Sequence, residues 1–355
     1  MVDAHVIVIG TGILGASIAW HLARGGARVT VVGETAGGVA TPASFAWINA
    51  SWGNPEPYFH LRQRSIREWK RLAEELPALP LRWTGSLTFD LPAAELRAYA
   101  EEHGAWGYDI RPLAAAEISA REPNLAAPPA FALQASAEGA VEPQQAATLL
   151  IADARRQGAT VLHDRRVLGL TRSAGRITGV ETAGGSITAD CVVLAAGSGS
   201  AELAATVGVP IEMTAPAGLL VHSKPHAPLL TGLVLSDGLH LRQTIDGSII
   251  AGGDFGGSDP GANPEAAAAT HWARVQAALR GGDALLFDRY TLGYRPTPAD
   301  GFPIVGRVDG SEGLSLAITH AGVTLAPAIG LFLAREILTA ECEPLLAPYR
   351  FSRFT

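Results

Sequence analysis

Cysteine is nearly absent from this sequence of 355 residues: Cys191 and Cys342 are the only two. They lie too far apart to suggest a disulfide framework or a metal-ligand spacing. No uninterrupted apolar run is long enough to span a membrane, although 48% of the residues are hydrophobic. The nearest candidate, residues 314–334, is interrupted by His320 and Pro327. The chain enters its first strand almost at once, leaving no room for a signal peptide, so the expectation is a soluble cytoplasmic protein. Positive charge is not in excess either. A net charge of −7 argues against nucleic acid as the main partner. No G-x-S-x-G is present, which leaves a serine hydrolase unsupported. His222 and His226 have helical metal-ligand spacing, but Pro225 and Pro228 break the helix that spacing would need, and no metal is expected.

What the sequence does hold is concentrated at its start. His5-Val6-Ile7-Val8-Ile9 is an apolar, β-branched run, the pattern of a buried parallel strand. It leads into Gly10-Thr11-Gly12-Ile13-Leu14-Gly15, then into a stretch with Leu14, Ile18 and Leu22 at helical spacing, then into a second strand, Ala27 to Val32. This is a β-α-β unit of dinucleotide-binding type. Gly10 permits the tight turn, Gly12 lets the backbone approach a pyrophosphate, and Gly15 lets the helix pack closely. The helix N-terminus then offers free N–H groups and a positive dipole end to the phosphates. One position departs from the pattern. Where an acid usually ends the second strand to hold the ribose, this chain has Gly33, with Glu34 one residue later. Either the loop adjusts so that Glu34 reaches the ribose, or the contact comes from elsewhere. The motif alone does not separate NAD from FAD.

Beyond it, Gly37 to Ser44 is a small, turn-rich loop placed to wrap a cofactor, and Phe45 to Ala50 is too aromatic to be only a linker. Residues 58–76 are predicted as a helix with Leu61, Trp69, Leu72 and Leu76 on one side. Its Arg62, Arg64, Arg67, Lys70 and Arg71, mixed with Glu68, Glu74 and Glu75, suggest a solvated, ion-paired face. From Leu81 to Glu138 the β-α-β rhythm is lost. It returns with a helix over 144–157, a strand at 159–162, a hairpin around Gly175 and Gly184-Gly185, and the strand Cys191 to Leu194 running into Ala195-Ala196-Gly197. Residues 211–292 differ again, with a hairpin turn at Asp246-Gly247 and a helix over 262–279. The expected fold is α/β: a Rossmann-like cofactor domain (1–80, 139–210 and 293–355) and a discontinuous α+β substrate domain (81–138 and 211–292) built on an antiparallel sheet.

The last region is the most specific. Gly293-Tyr294-Arg295-Pro296 and Asp300-Gly301 precede a strand at 314–318. Thr319-His320-Ala321-Gly322-Val323-Thr324-Leu325-Ala326-Pro327 then opens a helix reaching Leu338, with Pro327 expected in its first turn.

These motifs, in this order from His5 to about Leu338, resemble the FAD-dependent D-amino-acid oxidase family, which includes glycine oxidase and sarcosine oxidase types. The resemblance implies FAD rather than NAD. It implies contacts to the ADP portion from Gly10, Gly12, Ile13, Leu14, Gly15, Gly33, Glu34, Val167, Ala196 and Gly197. It places Thr41, Ser44, Phe45 and Ala46 along the pyrophosphate and flavin, and the backbone of Gly322, Val323 and Thr324 at the flavin pyrimidine edge. There a helix N-terminus suits the negative charge of the reduced ring. Covalent relatives attach flavin to a cysteine near the position of Leu292, and neither cysteine here matches it, so non-covalent FAD is expected. The only lysines, Lys70 and Lys224, lie outside the flavin motifs.

Arg295 is implied to grip a substrate carboxylate, for which the guanidinium fork is well shaped, also beside the flavin. Pairing with Asp300 is the alternative, and Arg242 is the next cation in line. His240 falls where glycine oxidases carry a pocket tyrosine, with a packing role the competing reading. The expected activity is oxidation of an amine, in particular an amino acid, to an imine that hydrolyses. A 2-hydroxy-acid dehydrogenase with His240 or His320 as base is one alternative, and a flavin-binding regulatory subunit without turnover is another. The partner expected is a small amine or amino acid, with homo-oligomerisation open.

Overall fold

A computed structural model describes residues 4–50, 53–254 and 256–354. Its organising layer is a six-stranded sheet in the order Ile304–Arg307, Leu314–Ile318, Cys191–Leu194, His5–Ile9, Arg28–Val32 and Thr160–Leu162. All neighbours are parallel except the edge pair Ile304–Arg307 with Leu314–Ile318. The first strand is apolar at every position because both its faces are covered. Val6 and Val8 belong to the core shared with the helices, whereas Ile7 and Ile9 belong to a second core on the opposite face. That second face is closed by the three-stranded antiparallel sheet of Val167–Ser173, Arg176–Thr182 and Gly185–Thr188, the hairpin expected around Gly175.

The helices on the first face are Ile13–Arg24, Glu56–Glu75, Pro143–Arg156 and Gly322–Thr339. The last of these is long and apolar enough to cross a membrane by composition alone, but most of it is buried among its neighbours, as befits a core helix. Gly330 is pressed against Ser17 and His21 of the first helix so closely that a Cβ there would overlap both.

The position of Pro327 corrects the sequence reading. The helix begins at Gly322, so Pro327 falls in the second turn rather than the first. Its missing N–H frees the carbonyl of Val323. The Trp69 indole N–H donates to that carbonyl at 3.0 Å and to Thr324 O at 3.2 Å, and the Ser65 hydroxyl donates to Thr324 O at 2.6 Å. The Glu56–Glu75 helix thus supplies the hydrogen bonds that the proline removes, which locks the two helices together.

A second, eight-stranded sheet joins two stretches distant in sequence. Its order is Phe287–Tyr294, Ala217–Ser223, Ile249–Gly252, Leu239–Gln243, Leu233–Ser236, Ser86–Phe89, Phe131–Ala135 and Ile110–Ala114. Every pairing is antiparallel but one. Leu233–Ser236 runs parallel to Ser86–Phe89, at the seam where the two stretches meet. The Asp246-Gly247 turn joins two of these strands as its sequence indicates.

Candidate functional site: a cavity from the glycine turn to Arg295

One continuous cavity of about 620 Å³ runs from the glycine turn, along the Gly38–Trp47 loop, to Arg295. Its walls include Gly10, Gly12, Ile13, Leu14, Gly33, Glu34, Thr41, Ser44, Phe45, Ala46, Val167, Ala196, Gly197, Arg295, His320, Gly322, Val323 and Thr324. Gly15 and His240 are not among its lining residues.

The outer end is made of backbone. Gly10 has φ +115°, and a Cβ there would lie inside the carbonyl of Ala195 at the end of the neighbouring strand. Gly15 packs on the carbonyl of Gly10, so its role is to hold the turn from behind. A Cβ at Gly12 would meet Thr41 Oγ1 at 3.1 Å and Gly37 O at 3.9 Å. Thr41 itself caps the first helix, accepting from the Ile13 N–H at 3.0 Å. The Leu14 N–H has no intrahelical acceptor and lies where the cavity begins. Gly33 has a local cause. A Cβ at that position would meet the Thr11 side chain at 2.8 Å, so the threonine inside the glycine motif excludes the usual acid. Glu34 lies on the cavity wall one step further, and Arg165 and Arg166 line the same end.

Deeper in, the chain crosses under the Gly322–Thr339 helix. Ala46 takes φ +60°, uncommon for a residue with a Cβ, and its N–H is held by Ser44 Oγ at 3.0 Å. The Thr324 hydroxyl donates to Trp47 O at 3.1 Å, fixing that segment against the helix N-terminus. The N–H groups of Gly322, Val323 and Thr324 are the orphan donors of that helix, and all three residues line the cavity.

Arg295 stands at the inner end. Among the described residues it forms no ion pair, and its buried Nε has no hydrogen-bond partner. Asp300, the expected competitor, is bound to Arg353 at 2.7 Å. Burial lowers the Arg295 pKa from its ordinary value, and the exposed Asp254 opposes that shift. Gly256 lies flat against the guanidinium, where any Cβ would collide with it. His320 is held neutral, its pKa lowered to about 4 by burial and then by the charges of Arg62 and Arg295. His240 is buried behind Phe45, ring centroids 6.2 Å apart, rather than at the wall, and burial lowers its pKa to about 4. Arg242 is no free cation: it is buried and paired with Glu142 at 3.1 Å.

The sequence reading missed Arg62. Arg64 and Arg71 do form the expected ion-paired face, both bound to Glu68. Arg62 instead points inward, only 7% exposed, and lines the cavity. The signal was its place in the helical repeat. It shares a face with Tyr58, Ser65 and Trp69, successive spacings of four, three and four, all of which are buried. Asn49 was missed too; it accepts from Arg62 through both its backbone and side-chain oxygens.

Comparison with known proteins identifies the family. The model of the DAO family, described as FAD dependent oxidoreductase, matches residues 5–336. The chain belongs to that family. The glycine oxidase of Pseudomonas aeruginosa is 30% identical over 97% of each chain. The crystal structure of glycine oxidase from Geobacillus kaustophilus superposes with a TM-score of 0.90 at 24% identity, covering 99% of both chains. That of iminodiacetate oxidase from Chelativorans sp. BNC1 gives 0.85 at 25% identity over 97% of this chain and 98% of the other.

The cofactor of this flavoenzyme is FAD, and the cavity suits it on its own evidence. Two helix N-termini open on one elongated space, one beside the glycine turn and one near Arg295. They match the two places where a flavin dinucleotide is anionic, its pyrophosphate and its reduced ring. Cys191 is half-buried, with its pKa raised by burial to about 11, and Cys342 is exposed beyond the last long helix. Neither they nor Lys70 or Lys224 line the cavity.

Proposed function

We propose that the protein oxidises the carbon–nitrogen bond of an amino acid. The observation that carries this reading is Arg295, a partly buried guanidinium that forms no ion pair among the described residues, at the inner end of the cofactor cavity and next to a helix N-terminus. Bound FAD supplies the hydride-accepting ring. The chain itself binds and orients. Arg295 holds the α-carboxylate through its planar fork, which fixes the adjacent carbon and its amine relative to the ring. His320, neutral at physiological pH, adds no positive charge beside the amine and accepts a hydrogen bond from it. Loss of a hydride from the carbon and a proton from the nitrogen leaves an imine, which water converts to a carbonyl compound and the free amine. The burial of Phe45, Ala46 and Trp47 along the cavity keeps water from the reacting carbon.

The names of the similar proteins include two different amine substrates, and the fold alone does not choose between them. A 2-hydroxy acid is disfavoured because His240, one of its two proposed bases, lies behind Phe45. FAD is bound non-covalently in this reading, and acid or heat should release it intact. The deciding experiment is an anaerobic screen of amino acids, amines lacking a carboxylate and 2-hydroxy acids for bleaching of the flavin absorbance. Bleaching by amino acids is the expected result. Bleaching by hydroxy acids alone, or by nothing, refutes the reading.

A further inference from the structure

Arg62 is a buried cation whose hydrogen-bond partners among the described residues are all neutral. Its Nη2 and Nε donate to Asn49 Oδ1 and O at 2.6 and 3.1 Å. Its Nη1 reaches only the Tyr58 hydroxyl, at 3.5 Å, with the Tyr58 ring 5.2 Å away. Three of its five N–H donors are thus engaged, and no carboxylate among the described residues lies within ion-pair distance. Burying a charge is costly unless an opposite charge meets it. Arg295 at the same end of the cavity also has no ion pair among the described residues, and its Nε has no hydrogen-bond partner there. Both guanidiniums act electrostatically on one imidazole, that of His320, which sets them around a common space. Among the described residues Asp254 is the acid whose charge acts on Arg295, and it is exposed. The inner end of the cavity therefore carries two cations and a neutral histidine, one more positive charge than a simple amino acid needs.

We propose that the substrate is an amine with two carboxylates, one held by Arg295 and the other by Arg62. This rests on the reading of the inner end as the substrate pocket and narrows its substrate class. The oxidised carbon bears one carboxylate, and the second arm, on nitrogen or on the side chain, reaches Arg62. Asn49 orients the Arg62 fork by occupying two of its nitrogens, leaving the remaining donors for the incoming anion.

The test uses the FAD-loaded enzyme and paired probes that differ by one carboxylate: iminodiacetate against N-methylglycine, and each enantiomer of aspartate against the same enantiomer of alanine. Flavin reduction is followed anaerobically. At least one dicarboxylate should surpass its partner in kcat/KM by about 30-fold or more. Arg62→Gln should remove that preference, with the monocarboxylate changing less than about three-fold and the flavin content unchanged; Arg62→Lys should restore part of it. Monocarboxylates matching every dicarboxylate in the wild type overturn the proposal. So does an equal loss for both probes in Arg62→Gln, which assigns Arg62 to the cofactor or the fold. If Arg62→Gln does not fold, the wild-type preference and the Arg62→Lys response decide. If no amine reduces the flavin, the amine-oxidase reading is what fails. Perturbation of the flavin spectrum by malonate and succinate against acetate then decides: tighter dicarboxylate binding supports the two-cation site, and equal binding rejects it.

Discussion

The two ends of the cavity are built on opposite principles. At the outer end the chain removes side chains next to the cofactor space: Gly10 and Gly15 bring backbone to backbone, Gly12 and Gly33 make room beside Thr41 and Thr11, and a helix terminus adds its positive field to the charges of Arg165 and Arg166. At the inner end it adds them. Arg295 from a strand-end loop and Arg62 from a helix contribute formal charges, with His320 kept neutral between those influences. A field made of backbone cannot be changed without changing the fold. A field made of side chains is retuned by single substitutions. The difference shows how one scaffold keeps its cofactor while its substrates vary.

The largest effect should come from Gly10→Ala. The new Cβ would overlap Ala195 O, on a backbone with φ +115°. Loss of bound flavin is expected, with soluble protein either apo or absent. Normal flavin content with normal stability would show the outer end to be less rigid than its geometry indicates.

Next is Arg295→Met. Removing one partner of a buried charge pair costs about 2–5 kcal/mol, roughly 30-fold to several-thousand-fold in kcat/KM for a carboxylate substrate. Flavin content should be unchanged, and amines without a carboxylate should lose much less. An emptied or unfolded protein would make Arg295 part of the scaffold and erase the contrast between the ends.

Gly256→Ala sharpens the comparison, because it is a glycine at the inner end. Its Cβ would displace the Arg295 guanidinium rather than any backbone. A side chain yields more readily than a carbonyl, so the expected outcome is a rise of about ten-fold in KM for carboxylate substrates. Flavin occupancy should stay full, as measured by absorbance of the purified protein. Loss of flavin would place Gly256 with the outer glycines.

A last effect, in acid stability, leaves the contrast between the ends untouched. His21, His222, His240 and His320 each have pKa values lowered to about 4, in every case first by burial. Between pH 4 and 6.5 the unfolded chain therefore binds protons that the folded chain does not. Stability should rise with pH across that window and be lost as pH falls through it. Denaturant midpoints from pH 4 to 7 measure the slope. His320→Gln should remove about one proton's share of the slope, and an unchanged slope would mean that the inner-end histidine is already solvated.

Much of this was legible before any coordinates. The first β-α-β unit, the helix and hairpin positions and the closing helix follow from apolar periodicity and glycine spacing, which are local properties of the chain. Local signals also exposed the displaced acid at Gly33, though not its cause. That cause, Thr11 filling the space, lies two strand ends apart in sequence and is a packing fact. Pro327 was misplaced by a turn because a helix start at Gly322 or later depends on which neighbours take up the freed carbonyls. Trp69 and Ser65, more than 250 residues away, take them up.

The sequence by itself indicated the glycine turn at the mouth of the cavity, since Gly10, Gly12 and Gly15 fall within six consecutive residues where a strand runs into a helix. Only the tertiary structure decided the chemistry of the substrate end. Whether an arginine is a solvated surface charge, half of an internal ion pair or an unpaired binding group depends on what the rest of the chain brings near it. Arg67, Arg242 and Arg62 meet those three fates among the described residues. Nothing in the residues adjacent to each distinguishes them, because electrostatic pairing acts through space and not along the chain.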